Sequence, residues 1–132
     1  MIPQEALGYH TIVREDVAEW LRIADHDIRA AASLLKDRLW PGAAYFCQQA
    51  AEKLLKALAL ERMMEPPRTH DLVELAELVG LELSAEQKML LTRLSDHAAR
   101  SRYPGAEYKE EEVRQLFEET KRFFEWLRAR LS

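Results

Sequence analysis

The chain has 132 residues, enough for one ordinary domain with a real core and too few for two. Apolar residues make up 48% and charged residues 32%, the balance of a folded globular chain rather than a disordered tail. A formal net charge of −4 removes the overall basic character of a nucleic-acid track, and a single cysteine, Cys47, excludes both an internal disulfide and a cysteine-built metal site.

In chain order, residues 1–13 show no clear period and read as an irregular arm, with Pro3, Gly8 and Thr11 as breakers. The first helix is expected over roughly residues 15–37. There Val17, Trp20, Leu21, Ala24, Ile28, Ala31 and Leu35 recur at three- and four-residue steps on one stripe. Trp40-Pro41-Gly42 breaks the pattern, and Pro41 suits the first turn of a second helix over roughly residues 42–64. The apolar stripe of that helix is Cys47, Ala50, Ala51, Leu54, Ala57 and Leu58, and its alanines allow close helix approach. Pro66-Pro67 ends it, and Thr69 is the expected N-cap of a short helix over roughly residues 70–79, stopped by Gly80. Ser84 and Gln87 have capping-box spacing and open a helix to about residue 99. Ser101 to Gly105 form a break. The last helix, roughly residues 110–131, carries Val113, Leu116, Phe117, Thr120, Phe124, Leu127 and Leu131 on its core stripe.

No run alternates with period two, and no repeat or linker interrupts the chain. The expected fold is all-α, a single-domain antiparallel up-and-down bundle of four long helices plus a short one. No window approaches a membrane span and no signal-like start is present, so the expected compartment is the cytoplasm.

Glycines stand only at positions 8, 42, 80 and 105, which rules out a phosphate-cradling loop. No two histidines lie four apart, so no metal or cofactor is expected. Cys47 lies on an apolar stripe and reads as a buried structural thiol. The informative surface is the other side of the second helix, where Tyr45, Gln48, Gln49, Glu52 and Lys56 share a face with Lys53 at its edge. One reading is a solvated face with a Glu52–Lys56 pair worth about 0.3–0.5 kcal/mol. The other is a polar groove or partner surface in which paired glutamines supply donors and acceptors. Phe123 and Trp126 fall beside the core stripe of the last helix and suit either a second core contact or a dimer interface.

The run Ala44 to Leu58, AYFCQQAAEKLLKAL, resembles the central helix of the HEPN family (higher eukaryotes and prokaryotes nucleotide-binding). Trp20 through Ile28, with Asp27 before the aliphatic, resembles the family's first-helix pattern. Thr69-His70-Asp71-Leu72 resembles its Thr/Ser-His-x-Leu segment, and Arg102-Tyr103-Pro104 its Arg-Tyr-Pro signature. The resemblance covers residue 15 to the C-terminus. It implies a helical bundle that homodimerises and works beside a small nucleotidyltransferase, in places as one half of a toxin–antitoxin pair. It also implies one of two roles. Many members are metal-independent RNases using an arginine followed, after four to six residues, by a histidine. Others lack that pair and bind a nucleotide or a partner.

Counting favours the second role. Three residues separate Arg22 from His26 and Arg93 from His97, seven separate Arg62 from His70, one separates Arg68 from His70, and no histidine follows Arg102. The expected ligand or partner site is therefore Asp27, Gln48, Gln49, Glu52, Lys53, Lys56, His70, Arg102 and Tyr103, with Arg102 and Lys53 meeting phosphate and Glu52 orienting one of them. A divergent endoribonuclease acting on RNA would instead use Arg102 or Arg93 with His97 or His70, the arginine holding phosphorane charge and the histidine moving a proton. A plain homodimeric interaction module is the third reading.

Overall fold

The structure, a computed structural model, describes residues 4–62, 65 and 67–131, with side chains from residue 16 onward. It contains α1 (Gln4–Lys36), α2 (Trp40–Glu61), α3 (Leu72–Leu78), α4 (Ala85–Arg100) and α5 (Glu110–Arg128), and no strand among the described residues. Four long helices and one short one match the expected bundle. No helix is long and apolar enough to cross a membrane among the described residues.

The first helix starts earlier than its apolar stripe. Residues 4–13, expected as an irregular arm, are helical. Gln4, Glu5, Ala6 and Leu7 are strong helix formers, and one glycine costs only about 1 kcal/mol against them. Extending an existing helix adds a hydrogen bond for each residue fixed, so no further nucleation is needed.

α1 ends in a Schellman-type turn. The Leu39 N–H bonds the Leu34 carbonyl at 2.8 Å and the Arg38 N–H bonds the Leu35 carbonyl at 3.1 Å, while Arg38 takes the left-handed position with φ 61°. Pro41 then occupies the first turn of α2, as expected. The tight connection folds α2 back along α1, and these two helices make the most extensive contact in the bundle.

α2 is the central rod and touches α1, α3, α4 and α5. Its expected stripe is buried, with Ala43 one turn before it, and so are Ala44, Leu55 and Ala59, which lie off that stripe. Small side chains let neighbours approach from several directions at once. Leu54, Leu55, Leu58, Leu72, Leu75, Leu91, Leu94, Leu116 and Leu127 form the fully buried centre. Each contributes about 1.5–3 kcal/mol relative to an exposed side chain.

The α3 cap lies two residues beyond its expected place. Asp71, not Thr69, caps the helix and accepts from the Val73 and Glu74 N–H groups, while Thr69 Oγ1 accepts the Asp71 N–H at 3.1 Å. A carboxylate reaches two orphan N–H groups where the threonine hydroxyl supports only the turn before them. Gly80, with φ 79°, ends α3 as expected. The Ser84–Gln87 capping box is formed in both directions, at 3.1 and 2.9 Å. The α5 stripe from Val113 to Leu127 is buried, and Phe123, 3% exposed, joins the core cluster. Trp126 is partly buried and stacks on Phe123 at 5.7 Å.

Candidate functional site

Two turns of α1 separate Trp20 from Asp27, and both face the polar side of α2 across the hairpin. Asp27 Oδ2 accepts from Lys53 Nζ at 3.1 Å, and the Lys56 ammonium lies over the Trp20 ring, 5.7 Å from its centroid. Along α2 the chain of bonds continues. Lys53 donates to Gln49 Oε1 at 3.2 Å, Gln49 Nε2 to Gln48 Oε1 at 2.7 Å, and Gln48 Nε2 to Glu52 Oε1 at 3.4 Å. Lys56 donates to Glu52 Oε2 at 3.4 Å, and His70 Nδ1 stands 2.9 Å from Glu52 Oε1. Seven residues from α1, α2 and the approach to α3 thus form one connected cluster.

Burial separates this cluster from a solvated helix face. Glu52 is 3% exposed, Gln48 2% and Asp27 5%, whereas the His70 side chain is 73% exposed. A buried carboxylate is stable only with hydrogen-bonding or charged partners, and each here has them. The solvated-face reading, with its weak Glu52–Lys56 surface pair, is therefore corrected: the pair is real but sits inside, with Lys56 13% exposed. The amphipathic wheel misses this because it treats α2 as a surface helix when other helices pack around it.

The remaining expected residues lie elsewhere. Tyr45 is exposed and packs edge-on against Phe46. Arg102 and Tyr103 are exposed in the break after α4, and neither side chain bonds to the cluster among the described residues. Two residues not expected at the site belong to it. Trp20 supplies the ring under Lys56, and His26 Nδ1 stands 3.5 Å from Asp27 Oδ1. Trp20's seven-residue spacing from Asp27 was the available signal.

Arg93 and His97 line one recess but have separate acidic partners. Arg93 bonds Glu119 on α5, while His97 Nε2 faces Glu112 Oε1 at 3.1 Å. His97 is 2% exposed and stacks on Tyr108, whose hydroxyl donates to the His97 carbonyl at 3.3 Å. Burial, and next the Arg100 charge beside it, hold His97 below the ordinary imidazole value, outweighing Glu112. It is a neutral core histidine that ties the end of α4 to the start of α5, at the edge of a recess of about 340 Å³. Cys47 is fully buried, and burial pushes its thiol up to about 12. No group of three or more potential metal ligands occurs among the described residues.

A family model for the HEPN domain matches residues 17–130. Two solved structures share the fold. The crystal structure of ST0689, an archaeal HEPN homologue, superposes with a TM-score of 0.74 at 22% identity, covering 88% of this chain and 98% of that one. The crystal structure of TT1696 from Thermus thermophilus superposes with a TM-score of 0.74 at 21% identity, covering 87% of this chain and 98% of the other. At such identities the likeness speaks for the fold alone. The sequence finds no match among curated proteins.

Proposed function

Since this chain belongs to the HEPN family, on a match spanning residues 17–130, we propose that it is a non-catalytic binding subunit whose site is the α1–α2 seam around Glu52. In this reading it holds a nucleotide or the surface of a small cytoplasmic nucleotidyltransferase. It acts as a homodimer and as one half of a toxin–antitoxin-like pair. The observation that carries the proposal is the buried cluster itself. Asp27, Gln48 and Glu52 are desolvated and bonded inward, and they hold the Lys53 and Lys56 ammonium groups in fixed places. Preorganised donors of this kind favour binding because little side-chain freedom is left to lose.

The separate fates of Arg93 and His97 support the non-catalytic role. Both line one recess, but Arg93 is engaged by Glu119 and His97 is enclosed beside Glu112, so each is already held by an acid of α5. His70 is exposed, but its bonded partner is a carboxylate and not an arginine.

The test is calorimetric titration of adenine and guanine nucleotides into the purified protein, alongside co-purification with a nucleotidyltransferase encoded next to it. Saturable nucleotide binding, or a stable complex, that is lost in a Lys53→Ala/Lys56→Ala variant of unchanged helicity agrees with the proposal. A protein that binds no nucleotide and no such partner refutes it.

A further inference from the structure

Where α4 and α5 face each other, their facing residues repeat every seven positions. Arg100, Arg93 and Glu86 follow one another along α4, and Glu112, Glu119 and Trp126 along α5. Seven residues are close to two helical turns, so each set shares a face. The first rung is closed by Arg100 on Glu112 at 3.1 Å, and the second by Arg93 on Glu119. The third rung is reversed and open. Its acid, Glu86, stands on α4, and its base, Arg122, stands one turn before Trp126 on α5. Both are exposed, and neither side chain has a hydrogen bond or ion pair among the described residues. Both line a recess of about 410 Å³, together with Leu90, Phe123 and Trp126.

We infer that this open rung binds an apolar α-amino acid as its zwitterion, with the ammonium on Glu86, the carboxylate on Arg122 and the side chain against Phe123 and Trp126. The site shares no residue with the Glu52 cluster and goes beyond the function proposed for it.

Charge selects the ligand class. Glu119 also lines the recess, but Arg93 neutralises it. Ser84 and Gln87 are spent on each other in the α4 capping box. The free charges left are one carboxylate and one guanidinium, which sum to zero. A simple anion would meet Arg122 but also the Glu86 carboxylate, and a simple cation would meet Glu86 but also Arg122. A neutral molecule that carries both charges satisfies the two walls together.

The floor selects the side chain. Leu90 is 4% and Phe123 3% exposed, so the apolar surface is already packed from behind. Trp126 is fixed before any ligand arrives. Its ring stacks on Phe123 at 5.7 Å, the Arg130 guanidinium lies 3.8 Å from its centroid, and Arg130 Nη1 donates to the Trp126 carbonyl at 3.1 Å. A preset aromatic wall leaves little side-chain freedom to lose on binding. The volume falls within the range of about 300–1,000 Å³ usual for small-molecule pockets.

The test is titration of L-phenylalanine into ¹⁵N-labelled protein, read by the assigned indole N–H signal of Trp126, with those of Trp20 and Trp40 as internal references. L-phenylalanine shifts the Trp126 signal saturably, with a Kd on the order of 1 mM for a ligand of this size at an open recess. N-acetyl-L-phenylalanine lacks the ammonium and L-phenylalaninamide the carboxylate, and each binds about fivefold more weakly, the worth of one exposed ion pair. Glycine, without a side chain, gives no shift. Glu86→Gln weakens L-phenylalanine about fivefold and leaves N-acetyl-L-phenylalanine unchanged, while Arg122→Gln weakens L-phenylalanine and leaves the amide unchanged. Both substitutions are at exposed side chains without partners, so the fold is retained. The inference is overturned if L-phenylalanine leaves Trp126 unmoved at twentyfold that concentration, or if the blocked forms bind as well as the zwitterion, which makes the recess a plain apolar slot. It is also overturned if the Trp126 signal moves with protein concentration alone, which places a second copy of the chain there. None of these outcomes touches the Glu52 cluster, so the binding-subunit reading stands or falls on its own test.

Discussion

Removing the Glu52 carboxylate tests whether the cluster holds the bundle together as well as shaping a site. Glu52 is 3% exposed, and its oxygens face Gln48 at 3.4 Å, His70 at 2.9 Å and Lys56 at 3.4 Å. Glu52→Ala leaves the Gln48 amide, 2% exposed, and the Lys56 ammonium, 13% exposed, without their acceptor. A buried group left unsatisfied costs about 1–3 kcal/mol. Lys56 keeps its place over Trp20 and some access to water, and His70 is largely solvated, so most of the loss falls on Gln48 and the cavity. The expected destabilisation is about 2–3 kcal/mol, a fall in Tm of about 8–12 °C for a domain of this size. Glu52→Gln preserves the volume but turns an amide N–H toward donors, and it should lose about half as much. Thermal melts and urea titrations at about pH 7.5 measure both variants. On a Glu52→Ala background, Lys56→Ala should cost less than in the wild type, because the two share one interaction. A Glu52→Ala protein that melts within about 2 °C of the wild type would show that the carboxylate is solvated and the cluster carries no structural weight.

Acidification should weaken the fold through His97. Its folded pKa lies below the ordinary value of 6.5, so the unfolded chain takes up the proton first. The stability contribution is full above about pH 6.5 and falls as pH drops toward the folded value; urea midpoints at about pH 7.5 and 5.5 should differ more for the wild type than for His97→Gln. Cys47, fully buried with its thiol near 12, should react with a disulfide reagent only at the rate of unfolding, so fast labelling under native conditions contradicts its placement. Asp71→Ala should cost about 1 kcal/mol and Thr69→Ala clearly less, since the aspartate makes both cap bonds; equal losses in urea titration would return the cap to Thr69.

Where one face of a helix meets a core, the sequence was readable. The stripes of α1 and α5, the α2 stripe through Cys47, the break at Pro41 and the Ser84 capping box all occur as their spacing predicts. These are local patterns, and local geometry suffices to place them. The start of α1 was not legible because helix propensity without amphipathic period leaves no stripe to read. The burial of Gln48 and Glu52 was not legible for a different reason. It depends on how many helices surround α2, and a wheel drawn for one helix does not contain that number. A hint was present in Ala44 and Ala59, small residues lying outside the expected stripe of the same helix. Their spread around the rod is what a helix packed on several sides requires.

That arrangement also explains why the candidate site does not extend to the Arg-Tyr-Pro break. A central helix can accept polar residues only if their partners come from the helices and turns against it. Asp27 comes from α1 and His70 from the turn before α3, and both lie beside the middle of α2. The backbone that carries His70 is fixed by the next residue, because Asp71 caps α3 and the Leu72 N–H bonds Ser95 Oγ on α4 at 3.3 Å. His70 is thus placed by a helix cap and by the bundle behind it. Arg102 and Tyr103 have no such anchor for their side chains. Their backbone closes the end of α4, with the Arg102 N–H on the Ala99 carbonyl at 3.3 Å and the Tyr103 N–H on the Arg100 carbonyl at 3.0 Å. In this chain the Arg-Tyr-Pro signature finishes a helix, while the glutamine and glutamate row of α2 organises charge.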